Sequence, residues 1–552
     1  MTADIVIRGG TLIDGSGSPG RRADVAIQDG RIAAIGENLD ADRSLDADGQ
    51  IVAPGFIDIH THYDAQIFWD PALTPSCFHG VTTVVGGNCG FSIAPTRPSH
   101  RVTIARTLEN VEDMDVDTLA AGIPWDFESF PEYLAAIERR GTILNYNAYV
   151  GHTALRLFGM GDAAYERAAT EEEVERMCTI LRESMLAGAA GFATSFATTH
   201  RGVDGKPIPS RFAERSEFDA LCDVLKDLGR GVVHVAPGEQ VSFPDLYEIQ
   251  PRIGVPMTYA ALLTFPGGNY LDMVKMHDAG TAAGANVWPQ VTPRPLTFQM
   301  RMEDPFTFNV APCFGALMAE SREARIAAYR DATWRKNATE QLAHSVIAPR
   351  WETFAVAESN VHPELVDAMI SDIAKQRGVD PLDAMLEIAL DEDLGTRFRC
   401  IIANDDEEGV AFLLTRDHVA LGLSDAGAHV GQLCDAPQAT DLLGNWVRDR
   451  KVMPIEQAIH KLTGEPAGIF SFEGRGIVRE GNHADIVVFD ADEIGPGPVR
   501  RVRDFPADAE RLTADAPTGV THLLVNGTLI REDGKPIHES LTQRPGHIAK
   551  VL

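Results

Sequence analysis

No stretch of this chain reaches the roughly 18 consecutive apolar residues that a bilayer-spanning helix needs, and the opening MTADIVIRGG has no basic segment leading into an apolar one. Together these absences exclude a membrane-spanning reading and make the cytoplasm the expected compartment. Cysteine is sparse, with seven residues in 552, an odd number with no CxxC pair. That excludes a small disulfide framework and predicts reduced thiols, most of them buried in the core. Positive charge is also short, with 49 lysines and arginines against 80 acidic residues and a formal net charge of -31. A surface of that sign repels nucleic acid and anionic lipid, so the expected partner is a small-molecule substrate. Solenoid repeats and low-complexity tracts are missing as well.

What is present is a 44% hydrophobic composition, enough for one very large domain or two to four ordinary ones. Both ends carry short alternating strands broken by Gly and Asp-Gly turns: DIVIRGGTLIDGSG, ADVAIQDGRIAAIG and LDADGQIVAPG at the start, ADIVVFD and THLLVNGTLIREDGKP near the end. The interior alternates apolar strands such as VTTVVGGNCG, GFATSF, GVVHVAP and ANVWPQV with amphipathic helices such as TEEEVERMCTILRESMLAGA and SEFDALCDVLKDLG. About eight such β-then-α units predict an α/β protein with a closed parallel barrel, whose chemistry belongs after its strands. The charged, aromatic stretch from about Thr297 to Asn360 is too long for an ordinary loop and predicts a lid or an inserted helical subdomain.

The strand ends carry the reactive residues. In PGFIDIHTHYDAQ, His60 and His62 are two apart at the end of an apolar run, so a strand would project both imidazoles to one side. Cys89 sits in a Gly-flanked turn in VVGGNCGFS; taken alone, it reads as a small buried hydrophobe. His152 (YVGHTALR), His200 (FATTHRG), His234 (VVHVAP) and Asp425 (LSDAGAH) follow later predicted strands. One histidine after a strand is ordinarily structural, whereas several at successive strand ends point to a divalent metal.

In this order and strand context, VAPGFIDIHTHYD, GVTTVVGGNCGFSIAP, NAYVGHTALR, MLAGAAGFATSF, VALGLSDAGAH and GNHADIVVFD resemble the amidohydrolase superfamily. Within it they are similar to the D-aminoacylase, or N-acyl-D-amino-acid deacylase, branch over nearly the whole chain. The resemblance implies a (β/α)8 TIM-like barrel over residues 55–470, with an insertion around 297–360, and a small β-sandwich built from residues 1–54 and 471–552. It implies His60, His62, Cys89, His234 and Asp425 as metal ligands, Cys89 standing where the wider superfamily has a carboxylated lysine. Asp425 is also the implied general base, His152 falls at a structural or substrate-lining position, and a homo-oligomer is implied by the family alone. The residue types agree independently: imidazole, thiolate and carboxylate together suit zinc, which polarises a carbonyl and acidifies a water. An aspartate within reach of both could move the proton from that water to the leaving nitrogen.

The chain departs from the family in two places. GVPMTYAALLTFP has no histidine at the sixth strand, where Ala261 stands with Tyr259 nearby. Water, His200 or a residue of the 297–360 stretch then completes the site, or the metal sits on the side of His60, His62 and Asp425. One or two zinc ions are expected, with a single ion favoured. The lysine and arginine that hold the substrate carboxylate in the family are also missing from ALLTF and HVGQLCDAP. Arg294 in VTPRPL is the candidate replacement, with His152 and Tyr259 as further substrate contacts. Phe265, Trp288, Phe298 and Trp69 suggest an apolar or aromatic substrate. AGFATSFATTH has no lysine, which sets the chain apart from hydantoinases and dihydroorotases. Hydrolysis of a linear amide is therefore the expected function, ahead of a cyclic amide, carbamate or lactone at the same site. A non-catalytic binding barrel comes third.

Overall fold

The computed structural model describes residues 3–202, 205–345 and 348–552. Its centre is an eight-stranded parallel sheet in which sequence neighbours are sheet neighbours. The strands are β1 (Phe56–Asp58), β2 (Val81–Gly86), β3 (Asn145–Gly151), β4 (Gly191–Ser195), β5 (Val232–Ala236), β6 (Met257–Tyr259), β7 (Val287–Val291) and β8 (Ala420–Leu421). Just past the ends of β1 and β8, Thr61 and Ala426 form a parallel bridge, and the His62 N–H donates to the Ala426 carbonyl at 2.8 Å. Because parallel strands are covered on both sides, they read as continuous apolar runs, and β2 is buried throughout.

Alternate strand residues still separate into two cores. Ile57, Val85, Tyr149, Ala193, Val232 and Ala420 pack together, while Val84, Phe192, Val233, Val235 and Tyr259 join the larger core shared with the helices. The helices used below are α1 (Arg101–Glu112), α2 (His152–Met160), α3 (Glu171–Leu186), α4 (Arg215–Leu228) and α5 (Phe243–Ile253). Their limits are written locally. Thr170 accepts from the Glu173 N–H while Glu173 reaches back to the Thr170 N–H, so two otherwise unpaired donors are satisfied where α3 begins.

The two ends of the chain meet in sheets. Strands Thr11–Leu12, Arg21–Arg22 and Ile51–Pro54 share a seven-stranded sheet with Ile486–Phe489, Val520–Val525, Thr528–Glu532 and Lys535–Pro536. Ile7, Val25 and Ile27 of a four-stranded N-terminal sheet pack with Val52, Ile486, Val488 and Leu524 of the larger one. These sheets form one compact unit with the eight-stranded sheet, made of Met1–Leu263, Asn269–Arg294 and Glu408–Leu552.

A second compact unit consists of Thr264–Gly268 and Pro295–Glu407. It has a three-stranded antiparallel sheet (Leu296–Arg301, Ala355–Glu358, Arg397–Ala403) and a core of its own around Phe308, Phe314, Tyr329, Phe354 and Phe398. The stretch 297–360 lies inside this unit, which runs on to Glu407. Among the described residues, no helix is long and apolar enough to cross a membrane.

Candidate metal centre

His60 and His62 lie just past β1 rather than within it. What keeps them on one side is Thr61 between them, whose N–H and hydroxyl both donate to the Val85 carbonyl, at 3.1 and 2.9 Å. Their ring centroids are 5.5 Å apart, and the His234 ring, from β5, is 5.2 Å from that of His60. Cys89 enters from the turn after β2 in the left-handed region at φ 55°, and Asp425 enters after β8 at φ 45°. Non-glycine residues held there cost energy and concentrate at functional sites. The glycines around Cys89 are required: a Cβ on Gly87 would lie 2.4 Å from the Tyr149 carbonyl oxygen, and one on Gly90 3.0 Å from Thr194 Cα.

The donor atoms form two groups that share His60: His60, Cys89 and His234, and His60, His62 and Asp425, each within 4.8 Å. The Cys89 Sγ is 3.6 Å from His60 Nε2 and 3.9 Å from His234 Nε2. Asp425 Oδ1 is 3.0 Å from His60 Nε2 and 3.6 Å from His62 Nε2. Each ring turns its other nitrogen to a separate partner: His60 Nδ1 to Gln290 Oε1 at 2.5 Å, His234 Nδ1 to Thr258 Oγ1 at 3.0 Å, and His62 Nδ1 to Glu112 Oε1 at 3.2 Å. With Nδ1 hydrogen-bonded in His60 and His234, and within ion-pair distance of Glu112 in His62, three Nε2 atoms are left to converge on the thiol and the carboxylate, which is the arrangement metal-binding histidines adopt.

The electrostatics point the same way. Burial pushes the Cys89 thiol up, but His60, with hydrogen bonds to His234, His60 and His62, outweighs it and holds the thiol well below its ordinary 9.0. Burial likewise raises Asp425, and His60 and His62 override it, keeping the carboxyl well below 3.8. Burial lowers His60, yet the Cys89 and Asp425 anions bring it up to about 10. A thiol and a carboxyl both held toward their ionised forms among imidazoles are the donor set zinc accepts.

A model of the amidohydrolase family matches residues 43–530 of this chain. The chain belongs to the amidohydrolase family. It is 30% identical to N-acyl-D-glutamate deacylase of Alcaligenes xylosoxydans xylosoxydans, over 99% of this chain and 96% of that protein. It is 28% identical to D-aminoacylase of the same organism, over 96% of this chain and 95% of that protein. The solved structure of N-acyl-D-glutamate deacylase from Bordetella bronchiseptica, complexed with zinc and a phosphonate mimic of the tetrahedral intermediate, superposes with a TM-score of 0.67 at 27% identity, covering all of both chains. D-Aminoacylase gives a TM-score of 0.68 at 25% identity, over 99% of this chain and all of that one. D-Hydantoinase, at 13% identity and a TM-score of 0.52, shares the fold alone. This amidohydrolase is accordingly a metal-dependent hydrolase acting on carbon–nitrogen bonds.

The remaining sequence candidates of the amidohydrolase fall elsewhere. His152 is fully buried at the start of α2, its Nδ1 2.8 Å from Thr194 Oγ1 and its Nε2 2.8 Å from Glu217 Oε1. Both nitrogens are taken up inside the protein, as the structural alternative expects. Tyr259 packs on Phe243 and approaches the Tyr247 hydroxyl at 3.5 Å, so it faces α5 while Thr258 faces His234. Strand alternation is the reason: Tyr259 is one residue out of phase with the inward position. Arg294, offered as a carboxylate anchor, already binds Asp435 at 2.7 Å and Asp441 at 3.2 Å. His200 bonds Ser195 Oγ at 2.6 Å through Nδ1 and is not in either donor group. Of the cysteines, Cys77, Cys222 and Cys400 are buried while Cys89, Cys178, Cys313 and Cys434 are partly exposed, so the expectation that most are buried is corrected; all seven are free thiols.

Sequence reasoning missed Glu112, Gln290 and Thr258. Glu112 closes α1, far from any strand end, and left no local signal. Gln290 did leave one, as the single amide in the apolar strand VWPQV, since a buried amide must have partners.

Proposed function

We propose that this amidohydrolase removes an acyl group from an N-acyl amino acid, with His60, His62, Cys89, His234 and Asp425 as its metal ligands and Asp425 as its proton carrier. The observation that carries this reading is the convergence of three imidazole Nε2 atoms, a thiol held toward the thiolate and an ionised aspartate, in two groups sharing His60. A zinc ion held by these donors would supply Lewis acidity at the scissile carbonyl and a water acidified toward neutrality. Asp425, beside His60 and His62, takes the proton of the attacking water and returns it to the leaving nitrogen. With no sixth-strand histidine, the Cys89 group has, among the described residues, His60 and His234 as its imidazoles, which favours a single ion per chain. The Thr61–Ala426 bridge supports reading the sheet as a closed barrel over 55–470, and the packed terminal sheets support a sandwich of 1–54 with 471–552. Free cysteines fit a cytoplasmic location.

Similarity to deacylases of N-acyl-D-glutamate and N-acyl-D-aspartate supports a D-amino acid as the leaving amine. Arg294 is already engaged by two carboxylates, so it supplies no free cation for an acidic side chain of the substrate. The test is a panel of N-acyl-D- and N-acyl-L-amino acids and hydantoins, assayed before and after chelation. Release of D-amino acids that stops on chelation and returns with zinc is expected. Ring opening of hydantoins without linear-amide hydrolysis would put the cyclic substrate first, and a protein that takes up no metal would sink the mechanism.

A further inference from the structure

Two side chains outside the donor groups link His60 to His234. Gln290 on β7 and Thr258 on β6 are both fully buried. The Gln290 Oε1 lies 2.5 Å from His60 Nδ1, its Nε2 lies 3.4 Å from Thr258 Oγ1, and that oxygen lies 3.0 Å from His234 Nδ1. One carboxamide thus touches the histidine common to both groups and, through a single hydroxyl, the histidine of the Cys89 group.

The direction of the chain follows from valence. An imidazole that offers Nε2 to a metal carries its proton on Nδ1 and needs an acceptor there. The Gln290 oxygen accepts from His60 Nδ1–H. Its amide N–H then faces Thr258, whose oxygen also accepts from His234 Nδ1–H. A flipped carboxamide would set N–H against N–H and drive the His60 proton to Nε2, where it blocks coordination. The fold leaves room for the carboxamide: a Cβ on Gly422 would lie 3.0 Å from Gln290 Cδ and 3.1 Å from its Oε1.

Resting on the metal-centre reading above, we propose that Gln290 is the positioning residue of this centre. It orients His60 directly and His234 through Thr258, so that a ligand set without a sixth-strand histidine is preorganised to bind an ion. A site with fewer ligands depends more on having each of them aimed before the ion arrives.

The experiment is cobalt reconstitution of the full chain. Cobalt(II) affinity is measured against a competing chelator, and the thiolate-to-cobalt absorption band is recorded for wild type, Gln290→Leu, Gln290→Glu and Gly422→Ala. Melting of the metal-free proteins confirms that each variant folds. Gln290→Leu is expected to lose about 10- to 100-fold in affinity with a weakened band, the range found for outer partners of metal-binding histidines. Gln290→Glu, which keeps the acceptor for His60, is expected to lose less, and Gly422→Ala, which only presses on the amide, to fall between. If Gln290→Leu does not fold, Gly422→Ala carries the test. Wild-type affinity and band in the folded Leu variant would overturn the proposal, and so would a Glu variant as weak as the Leu one. A wild-type protein that binds no cobalt would instead overturn the functional reading on which the proposal rests.

Discussion

Two buried histidine clusters flank the same sheet and balance charge in opposite ways. In one, His152 and the Arg156 guanidinium both contact Glu217, with every side chain at most 2% exposed. Burial lowers His152 below its ordinary 6.5, so it stays neutral. Glu217, raised by burial but lowered more by His152 and Arg156, stays ionised against the arginine. This cluster contains its own cation and is complete. In the other, a thiolate, Asp425 and Glu112 face imidazoles alone, and His60 and His62 are raised by the anions around them. Among the described residues that cluster shows no permanent cation, a deficit that a divalent ion would correct. A histidine at a strand end is thus told apart as ligand or scaffold by what its second nitrogen touches and by whether an arginine is present.

The largest effect should come from Asp425→Asn. Loss of the proton carrier is expected to lower kcat on an N-acyl substrate by about 10²- to 10⁴-fold; a kinetic titration showing less than a tenfold loss would remove Asp425 from that role. Next, Cys89→Ala should lower bound metal per folded chain while leaving thermal stability close to wild type, and Glu217→Ala should do the reverse. Leaving the Arg156 charge buried without its partner costs about 3–5 kcal/mol, read as a fall in denaturation midpoint with metal content per folded molecule unchanged. If the two variants behave alike, the contrast between the clusters fails.

The pH dependence of stability sharpens the same contrast. His152 and Glu217 are both depressed in the folded state from 6.5 and 4.5. The unfolded chain therefore binds more protons, and the contribution of this cluster, fully present above the ordinary histidine value, is lost as pH falls through the folded values. Melting of the metal-free protein between pH 7 and pH 4 should show this decline, with a steeper slope below the ordinary histidine value in Glu217→Gln, because the carboxylate that raises His152 is gone. The smallest effect is expected for Tyr259→Phe. Among the described residues its hydroxyl reaches toward Tyr247 alone, so KM should change less than about twofold, within the ±0.5 kcal/mol usual for a substitution away from any critical contact. A larger rise in KM would return Tyr259 to the substrate pocket.

Much of the architecture was legible because it is written in short-range pattern. Apolar runs of strand length, helices with capping boxes such as Thr170 with Glu173, and glycines beside Cys89 each follow from local chain physics. The second unit was only half visible. Its first strand, Leu296–Arg301, pairs with Arg397–Ala403, roughly a hundred residues later, and no local signal marks so distant a return.

By itself the sequence determined the order of strands and helices and the placing of His60, His62, Cys89, His234 and Asp425 at strand ends, because strand periodicity and turn chemistry act over a few residues. Only the tertiary structure decided which polar groups are spent on one another. It gave His152 to Glu217, Arg294 to Asp435 and Asp441, Glu112 to His62, and Gln290 to His60. The reason is physical: a buried polar atom must find its partner wherever packing brings one, and that partner can lie hundreds of residues away.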